Sequence, residues 1–232
     1  MRAVILAGGE GRRLRPYTTV LPKPLMPVGD RPILEIVIGQ LRDAGVDRVT
    51  MAVGYLASLL QAYFGDGARF GVRIDYSLEP QPLGTAGPLS LIDPPAEDFF
   101  VMNGDLLTDL DFSALLGAHR EGGAIATLAV FQKEVEISLG VVDVDTSGSI
   151  KGYTEKPTLS YPVSSGIYCF NPDILSLIPR GVPLDLPDLI KGLIDDGRKV
   201  GGFRFEGTWL DIGRPEDYEE AQRRFELDGT SD

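Results

Sequence analysis

The densest run of chemistry-bearing residues is Leu6-Ala7-Gly8-Gly9-Glu10-Gly11-Arg12-Arg13-Leu14-Arg15, followed by Lys23 between Pro22 and Pro24. Glycines let a backbone approach a ligand closely and point successive N–H groups at an anion. Arginine and lysine add fixed positive charge where that anion would sit. In a chain of net charge −12, this cluster reads as a site for a polyphosphate. Cations held this close repel one another unless something anionic neutralises them. Two familiar glycine motifs fit poorly: a dinucleotide fingerprint requires a third glycine where Leu14 stands, and a P-loop requires Gly-Lys-Ser/Thr where Arg12-Arg13 stand. A tight strand-to-helix turn with no ligand would account for the glycines but not for the cations.

The elements that must position this loop follow from hydrophobic spacing. Residues 3–6 form a short apolar run bounded by glycine, which predicts a buried strand. Further strands are predicted over 48–53, 72–77 and 99–102, ending at Gly54, near Leu83-Gly84-Thr85, and at Asn103-Gly104-Asp105. Between them, 33–44 has helical spacing, with Asp30 offering an N-cap, Pro32 near the first turn and Gly45 as a stop. Helices are also predicted over 57–64, from the Gly84–Gly87 turn to about Ile92, and from an Asp111 cap to about His119. Alternating strand and helix predicts an α/β fold with a mainly parallel sheet covered on both faces. In such sheets a ligand lies at the carboxyl ends of the strands, so four separate segments converge on one edge.

The second half changes character. Strands are predicted over 124–131, 140–144, 150–153, 163–170 and 200–205, with a turn at Asp145-Thr-Ser-Gly148, suggesting hairpins added to the sheet. Asn171-Pro172 starts a short helix; 186–196 and 215–226 read as longer ones. No linker divides the chain, so residues 1–227 are taken as a single domain and 228–232 as a frayed polar tail.

Bulk properties narrow the function. The acidic balance argues against general nucleic-acid binding, which needs a basic face. Cys169 is the sole cysteine, so no intramolecular disulfide forms and a cytoplasmic location is expected. No apolar run approaches the ~20 residues of a membrane span. Trp209 and Cys169 read as packing residues, and His119 as a surface or capping residue without a catalytic role.

The segment 6–18 with Pro22-Lys-Pro-Leu25 resembles the signature of the sugar-1-phosphate nucleotidyltransferases, or nucleotide-sugar pyrophosphorylases. The resemblance continues in order through Pro82-Leu-Gly-Thr-Ala-Gly87, Asn103-Gly-Asp105, Thr154-Glu-Lys-Pro157, Ser165-Gly-Ile-Tyr168 and Trp209-Leu-Asp-Ile-Gly213. It implies a Rossmann-like, three-layer α/β/α (GT-A-like) fold and a reaction joining a nucleoside triphosphate to a sugar 1-phosphate with release of pyrophosphate. Catalysis of that step is mostly positioning and charge neutralisation.

By the same resemblance, Leu6, Ala7 and Gly8 would line the nucleoside, and Gly9, Gly11 and Arg13 would hold the triphosphate, with Arg13 catalytic. Lys23 would bind phosphate near the reacting centre. Gly84 and Thr85 would contact the base, with Gln81 nearby. Asp105 and Asp211 would hold Mg²⁺. Glu155 and Lys156 would reach the sugar and its phosphate, and Gly140 and Gly166 would allow its close approach. Ser164 stands where many relatives have an asparagine that touches the sugar.

Pro82–Gly87, Leu184–Leu189 and Trp209–Asp217 are most similar to the branch that transfers guanylyl groups to mannose- or heptose-1-phosphates. Uridylyl or thymidylyl transfer is the alternative, and a catalytically silent nucleotide-sugar sensor is the alternative of another class. The chain ends soon after its last predicted helix, so no appended acetyltransferase is expected. Family members commonly associate, which leaves a homo-oligomer open.

Overall fold

The first strand, β1 (Arg2–Ala7), turns Ala3, Ile5 and Ala7 to one face and Val4 to the other, and all four are buried. An apolar run buried on both faces is what a central strand of a parallel sheet requires. The computed structural model describes residues 1–229, with side chains through Arg224. A short ladder, β2 (Pro27–Val28) with β3 (Arg31–Pro32), leads into α1 (Ile33–Asp43). There follow β4 (Arg48–Val53), α2 (Ala57–Phe64), β5 (Arg73–Leu78), β6 (Phe99–Asn103), β7 (Leu106–Thr108) and α3 (Phe112–Gly122). The second half contributes β8 (Ala126–Glu136), β9 (Val141–Val144), β10 (Ile150–Thr154), β11 (Thr158–Phe170), α4 (Leu186–Asp195), β12 (Val200–Phe205), β13 (Trp209–Asp211) and α5 (Pro215–Gly229).

Seven strands form one sheet in the order β12-β8-β11-β6-β1-β4-β5. All pairings are parallel except those of β11, which runs against both β6 and β8. The fold is a Rossmann-like mixed sheet, mainly parallel, with added antiparallel hairpins. Helices α1, α2 and α3 pack on one face around Ile5, Met51, Phe64 and Phe100, while α4 packs on the other around Val4, Phe99 and Phe170. In α1, Ile33, Leu34, Val37, Ile38 and Leu41 are all buried, and at about 1.5–3 kcal/mol each their packing outweighs any cap.

The chain grows from β1 outward to β4 and β5, then returns to place β6 on the other side of β1. That reversal is a topological switch point, where an open α/β sheet leaves a crevice at the strands' carboxyl ends. β1 and β6 border it in register, with Leu6 opposite Asn103.

Several local expectations change. Pro32, not Asp30, is the N-cap of α1, and Asp30 lies exposed in the turn between β2 and β3. The helix expected after Gly87 is a 3₁₀ segment, Gly87–Leu91; Asp93-Pro94-Pro95 follows closely, and proline disfavours helical backbone just before it. Strands β8 and β11 extend beyond the predicted ranges because they go on pairing with each other, Gln132–Glu136 against Thr158–Pro162, past the ends of β12 and β6. Their remainders form a two-stranded ribbon of exposed, mostly polar residues, which gives no core-facing alternation to read. Residues 228 and 229, expected in a frayed tail, belong to α5, and 230–232 lie outside the described residues.

Candidate active site

A cleft of about 740 Å³ opens at the carboxyl ends of β1, β4, β5 and β6. Its volume suits a substrate rather than a solvent crevice. Leu6, Ala7, Gly8, Gly9, Gly11 and Arg13 line it together with Lys23, Gln81, Gly84, Thr85 and Asp105, so the segments expected to converge do so.

The floor is a close approach of backbones. Tyr55 N–H donates to Gly8 O at 3.2 Å, and Gly104 N–H to Leu6 O at 3.0 Å, tying the strand ends together. A Cβ on Gly8 would collide with Glu79 Oε1, so a side chain there would force this carboxylate to shift. Glu79 follows β5 directly and accepts the Leu83 N–H at Oε2 (3.1 Å). Burial pushes its carboxyl above the usual carboxylate range, partly countered by that N–H. It lines the cleft two residues before Gln81 and is absent from the sequence-derived site. Its place immediately after a strand end, like that of Gly8, was the available signal.

The cations of the glycine loop have different fates. Glu10 takes Arg12 (2.7 Å) and lies 3.6 Å from Arg15, so part of the expected anion is supplied by the loop itself. Arg13 instead lines the cleft and packs near Gly213. Lys23, only 8% exposed, is held by a 3₁₀ turn flanked by prolines and donates to Asp105 Oδ2. Asp211 Oδ1 lies 3.9 Å from the same ammonium. Asp211 reaches it because β13 pairs with β7, setting Asp211 opposite Leu106, and because Ile212 N–H donates to Asp105 O at 3.1 Å. Burial raises the Asp211 carboxyl, and the Asp105 charge adds to this while Lys23 and Arg13 oppose it.

Asp105 Oδ1 is buried without a hydrogen-bond partner. Among the described residues no three His, Cys, Asp or Glu side chains gather to hold a metal. Two adjacent carboxylates, one with an unsatisfied oxygen, fit Mg²⁺, which usually takes one or two carboxylates and completes its shell with substrate phosphates and water.

The expected sugar-side residues do not line this cleft. Gly166 (φ +75°) abuts Asn103, a cleft residue, while Ser164 Oγ lies 3.3 Å from the Tyr168 hydroxyl. Gly140 abuts Tyr153, whose hydroxyl donates to Glu155 (2.9 Å), and Lys156 follows with positive φ. Trp209 packs against Phe131 and donates to Ser165 O (2.8 Å), as suits a packing residue. Cys169 is buried, and burial pushes its thiol up to about 12. His119 differs from expectation: it is 2% exposed and hydrogen-bonded at Nδ1 to Thr127 Oγ1 (2.8 Å), inside the layer between α3 and β8. Its position in the last turn of α3 suggested a cap, but α3 turns this side toward the sheet.

A model of the family described as "Nucleotidyl transferase" matches residues 2–227. The chain belongs to this family. Among its curated relatives, a UTP–glucose-1-phosphate uridylyltransferase of Synechocystis is 40% identical, covering 96% of this chain and 63% of that protein. The mannose-1-phosphate guanylyltransferase catalytic subunit beta of Drosophila pseudoobscura pseudoobscura is 37% identical over 94% of this chain and 60% of that protein. The chain thus spans about three-fifths of the length of these relatives. Of solved structures, a putative glucose-1-phosphate thymidylyltransferase from Bacillus anthracis matches with TM-score 0.78 at 24% identity, covering 97% of this chain and 95% of that one. HddC from Yersinia pseudotuberculosis, complexed with GMP-PN, matches with TM-score 0.74 at 25% identity, covering 97% and 99%. This nucleotidyl transferase chain therefore carries its family's fold across nearly its whole length, and the cleft sits at that fold's switch point.

Proposed function

We propose that this chain joins a nucleoside triphosphate to a sugar 1-phosphate, giving a nucleotide-sugar and pyrophosphate. The carrying observation is the opposition, across one cleft, of the glycine loop and Arg13 to the Lys23–Asp105–Asp211 group. An oxygen of the sugar phosphate attacks the α-phosphorus; the bond from that phosphorus to the bridging oxygen breaks, and pyrophosphate leaves with the electron pair. Both reactants are anionic, so the protein must neutralise charge and hold the line of attack. Backbone N–H groups of Gly9 and Gly11 with the Arg13 guanidinium would hold the triphosphate. Lys23 would meet phosphate charge near the reacting centre. Mg²⁺ held by Asp105 and Asp211 would supply further neutralisation of the phosphates. No protein nucleophile is required.

Gly140, Glu155, Lys156, Ser164 and Gly166 remain the proposed sugar-side residues, on the antiparallel part of the fold. For the base, we favour guanine because of Glu79. A carboxylate only accepts hydrogen bonds, and guanine presents an adjacent N1–H and amino group to one acceptor fork. Uracil and thymine present a single N–H between two carbonyls, which a carboxylate repels. Uridylyl transfer is the second reading, supported by the 40% identical Synechocystis relative.

Pyrophosphate release from GTP, UTP, dTTP, CTP and ATP, each paired with mannose-, heptose- and glucose-1-phosphate in Mg²⁺, tests the reading. Turnover with GTP above the others is expected. Turnover with UTP or dTTP but not GTP would reject the base assignment; no turnover with any pair would favour a silent sensor.

A further inference from the structure

The wall of the cleft beyond Glu79 is a loop held in its middle by a distant segment. Pro80, Pro82 and Pro88 carry no N–H, and the N–H groups of Thr85, Ala86 and Gly87 bond outside the loop. Leu83 N–H goes back to Glu79, while Ala86 and Gly87 N–H both go to Leu184 O, at 2.8 and 3.0 Å. Leu184 N–H returns to Leu83 O at 2.9 Å. Two segments a hundred residues apart are thus clipped edge to edge.

The centre of the clip is an exchange of caps between Thr85 and Asp185. Asp185 is the N-cap residue of α4, a position whose side chain ordinarily accepts an N–H from its own helix. Here it makes no such bond. Its Oδ1 accepts instead from Thr85 N–H at 3.0 Å and from the Thr85 hydroxyl at 3.2 Å. Thr85 Oγ1 in turn accepts the Leu186 N–H, in the first turn of α4, at 2.7 Å. Each residue satisfies a backbone donor of the other's segment.

The exchange fixes Gly84. Its φ of +76° is open to glycine, and a Cβ there would lie 2.7 Å from both Asp185 Oδ1 and Leu184 O. Gly84 lines the cleft, and among the described residues its N–H has no backbone or side-chain acceptor. Asp185 does not line the cleft. We propose that Asp185 is a positioning residue for nucleobase binding: through Thr85 it sets the Gly84 turn that faces the base beside Glu79. Thr85 itself spends its hydroxyl on α4, so its part in base contact is to carry this constraint. The inference rests on the nucleotide reading of the cleft and adds to it a residue outside the cleft.

The test separates base from phosphate. Calorimetry would measure binding of GTP, UTP, dTTP, CTP and ATP, and of inorganic tripolyphosphate, to the full chain and to Asp185→Ala. Losing acceptors for a backbone N–H and a hydroxyl should weaken binding of the preferred triphosphate roughly tenfold or more. Tripolyphosphate, held by the glycine loop and Arg13, should bind both proteins within about twofold, since ordinary surface changes cost little. Asp185→Asn, which keeps an Oδ1 acceptor, should restore most of the nucleotide affinity. Where Asp185→Ala is not recovered folded, Asp185→Asn and Asp185→Ser give the same comparison. Equal loss for nucleotide and tripolyphosphate, or no loss for either, would overturn the positioning role. If the wild-type chain binds tripolyphosphate but no nucleoside triphosphate better, the nucleotide reading falls and this inference with it.

Discussion

Lys23 donates its ammonium to Asp105 Oδ2 while Asp211 Oδ1 stands 3.9 Å away, so one cation serves carboxylates from opposite halves of the chain. The lysine side chain is only 10% exposed, and its proline-flanked turn leaves little freedom to turn elsewhere. A hard divalent ion bound here would draw on the same two carboxylates. On the proposed reading, lysine and metal would therefore compete for the Asp105 carboxylate until phosphate gives Lys23 another partner.

Lys23→Met should consequently raise the affinity of the nucleotide-free protein for Mn²⁺, roughly tenfold or more given the strength of a near-contact charge in a partly buried site. Turnover should fall in the same variant. Calorimetric titration without nucleotide checks the first point, and weaker Mn²⁺ binding than wild type would contradict it.

Asp105→Asn removes the carboxylate that holds Lys23 and, on the proposed reading, the metal. A loss of about 10²–10³-fold in pyrophosphate release is expected, the scale seen when a preorganised electrostatic group is removed. Near-normal activity at saturating Mg²⁺ would mean that Asp105 is not a metal ligand. Thermal unfolding should accompany the measurement, because the variant also leaves Lys23 without its buried partner.

Glu79→Gln replaces two acceptors by one acceptor and one donor. The kcat/KM ratio of GTP to UTP should fall about tenfold or more. Burial holds the Glu79 carboxyl above its ordinary value, so protonation on acidification begins at a higher pH than for an exposed glutamate. Wild-type GTP affinity should thus decline as pH falls through that raised value, and the glutamine variant should lack this limb. A GTP-to-UTP ratio unchanged by the substitution would remove Glu79 from base selection.

His119 is buried, and burial lowers its pKa below the usual 6.5, with Asp98 opposing. The unfolded chain then binds the extra proton first as pH drops. Stability should fall as pH decreases from about 6.5 toward the lowered folded value. Urea midpoints at pH 8 and pH 5.5 should differ more in wild type than in His119→Gln, and equal differences would show that other groups control this window.

Legibility in the sequence followed the strength of the local signal. The three inner parallel strands β1, β4 and β6, largely buried, are apolar runs and were legible nearly residue by residue. So were α2, which spans the predicted residues, and the Asp111 cap of α3, whose carboxylate accepts Ala114 N–H at 2.9 Å. The two-residue β2 and β3 and the three-residue β7 and β13 carry no usable period. Glu79 follows β5 directly, but spacing along a loop does not say which side chain turns inward; the Leu83 N–H decides that.

The order of glycines, cations and apolar strands was enough to determine a mainly parallel sheet, a glycine- and arginine-rich loop after its first strand, and convergence of strand ends on that loop. These depend on local backbone freedom and on side chains that must be buried. The partnerships across the site were decided only by the tertiary structure. Asp211 meets Asp105 through the β7–β13 ladder, Lys23 rather than solvent neutralises them, and Asp185 caps Thr85 instead of its own helix. They join residues some eighty to nearly two hundred positions apart. Contacts at that separation depend on how the sheet closes and how its loops fold back over the edge, which no local pattern of residues encodes.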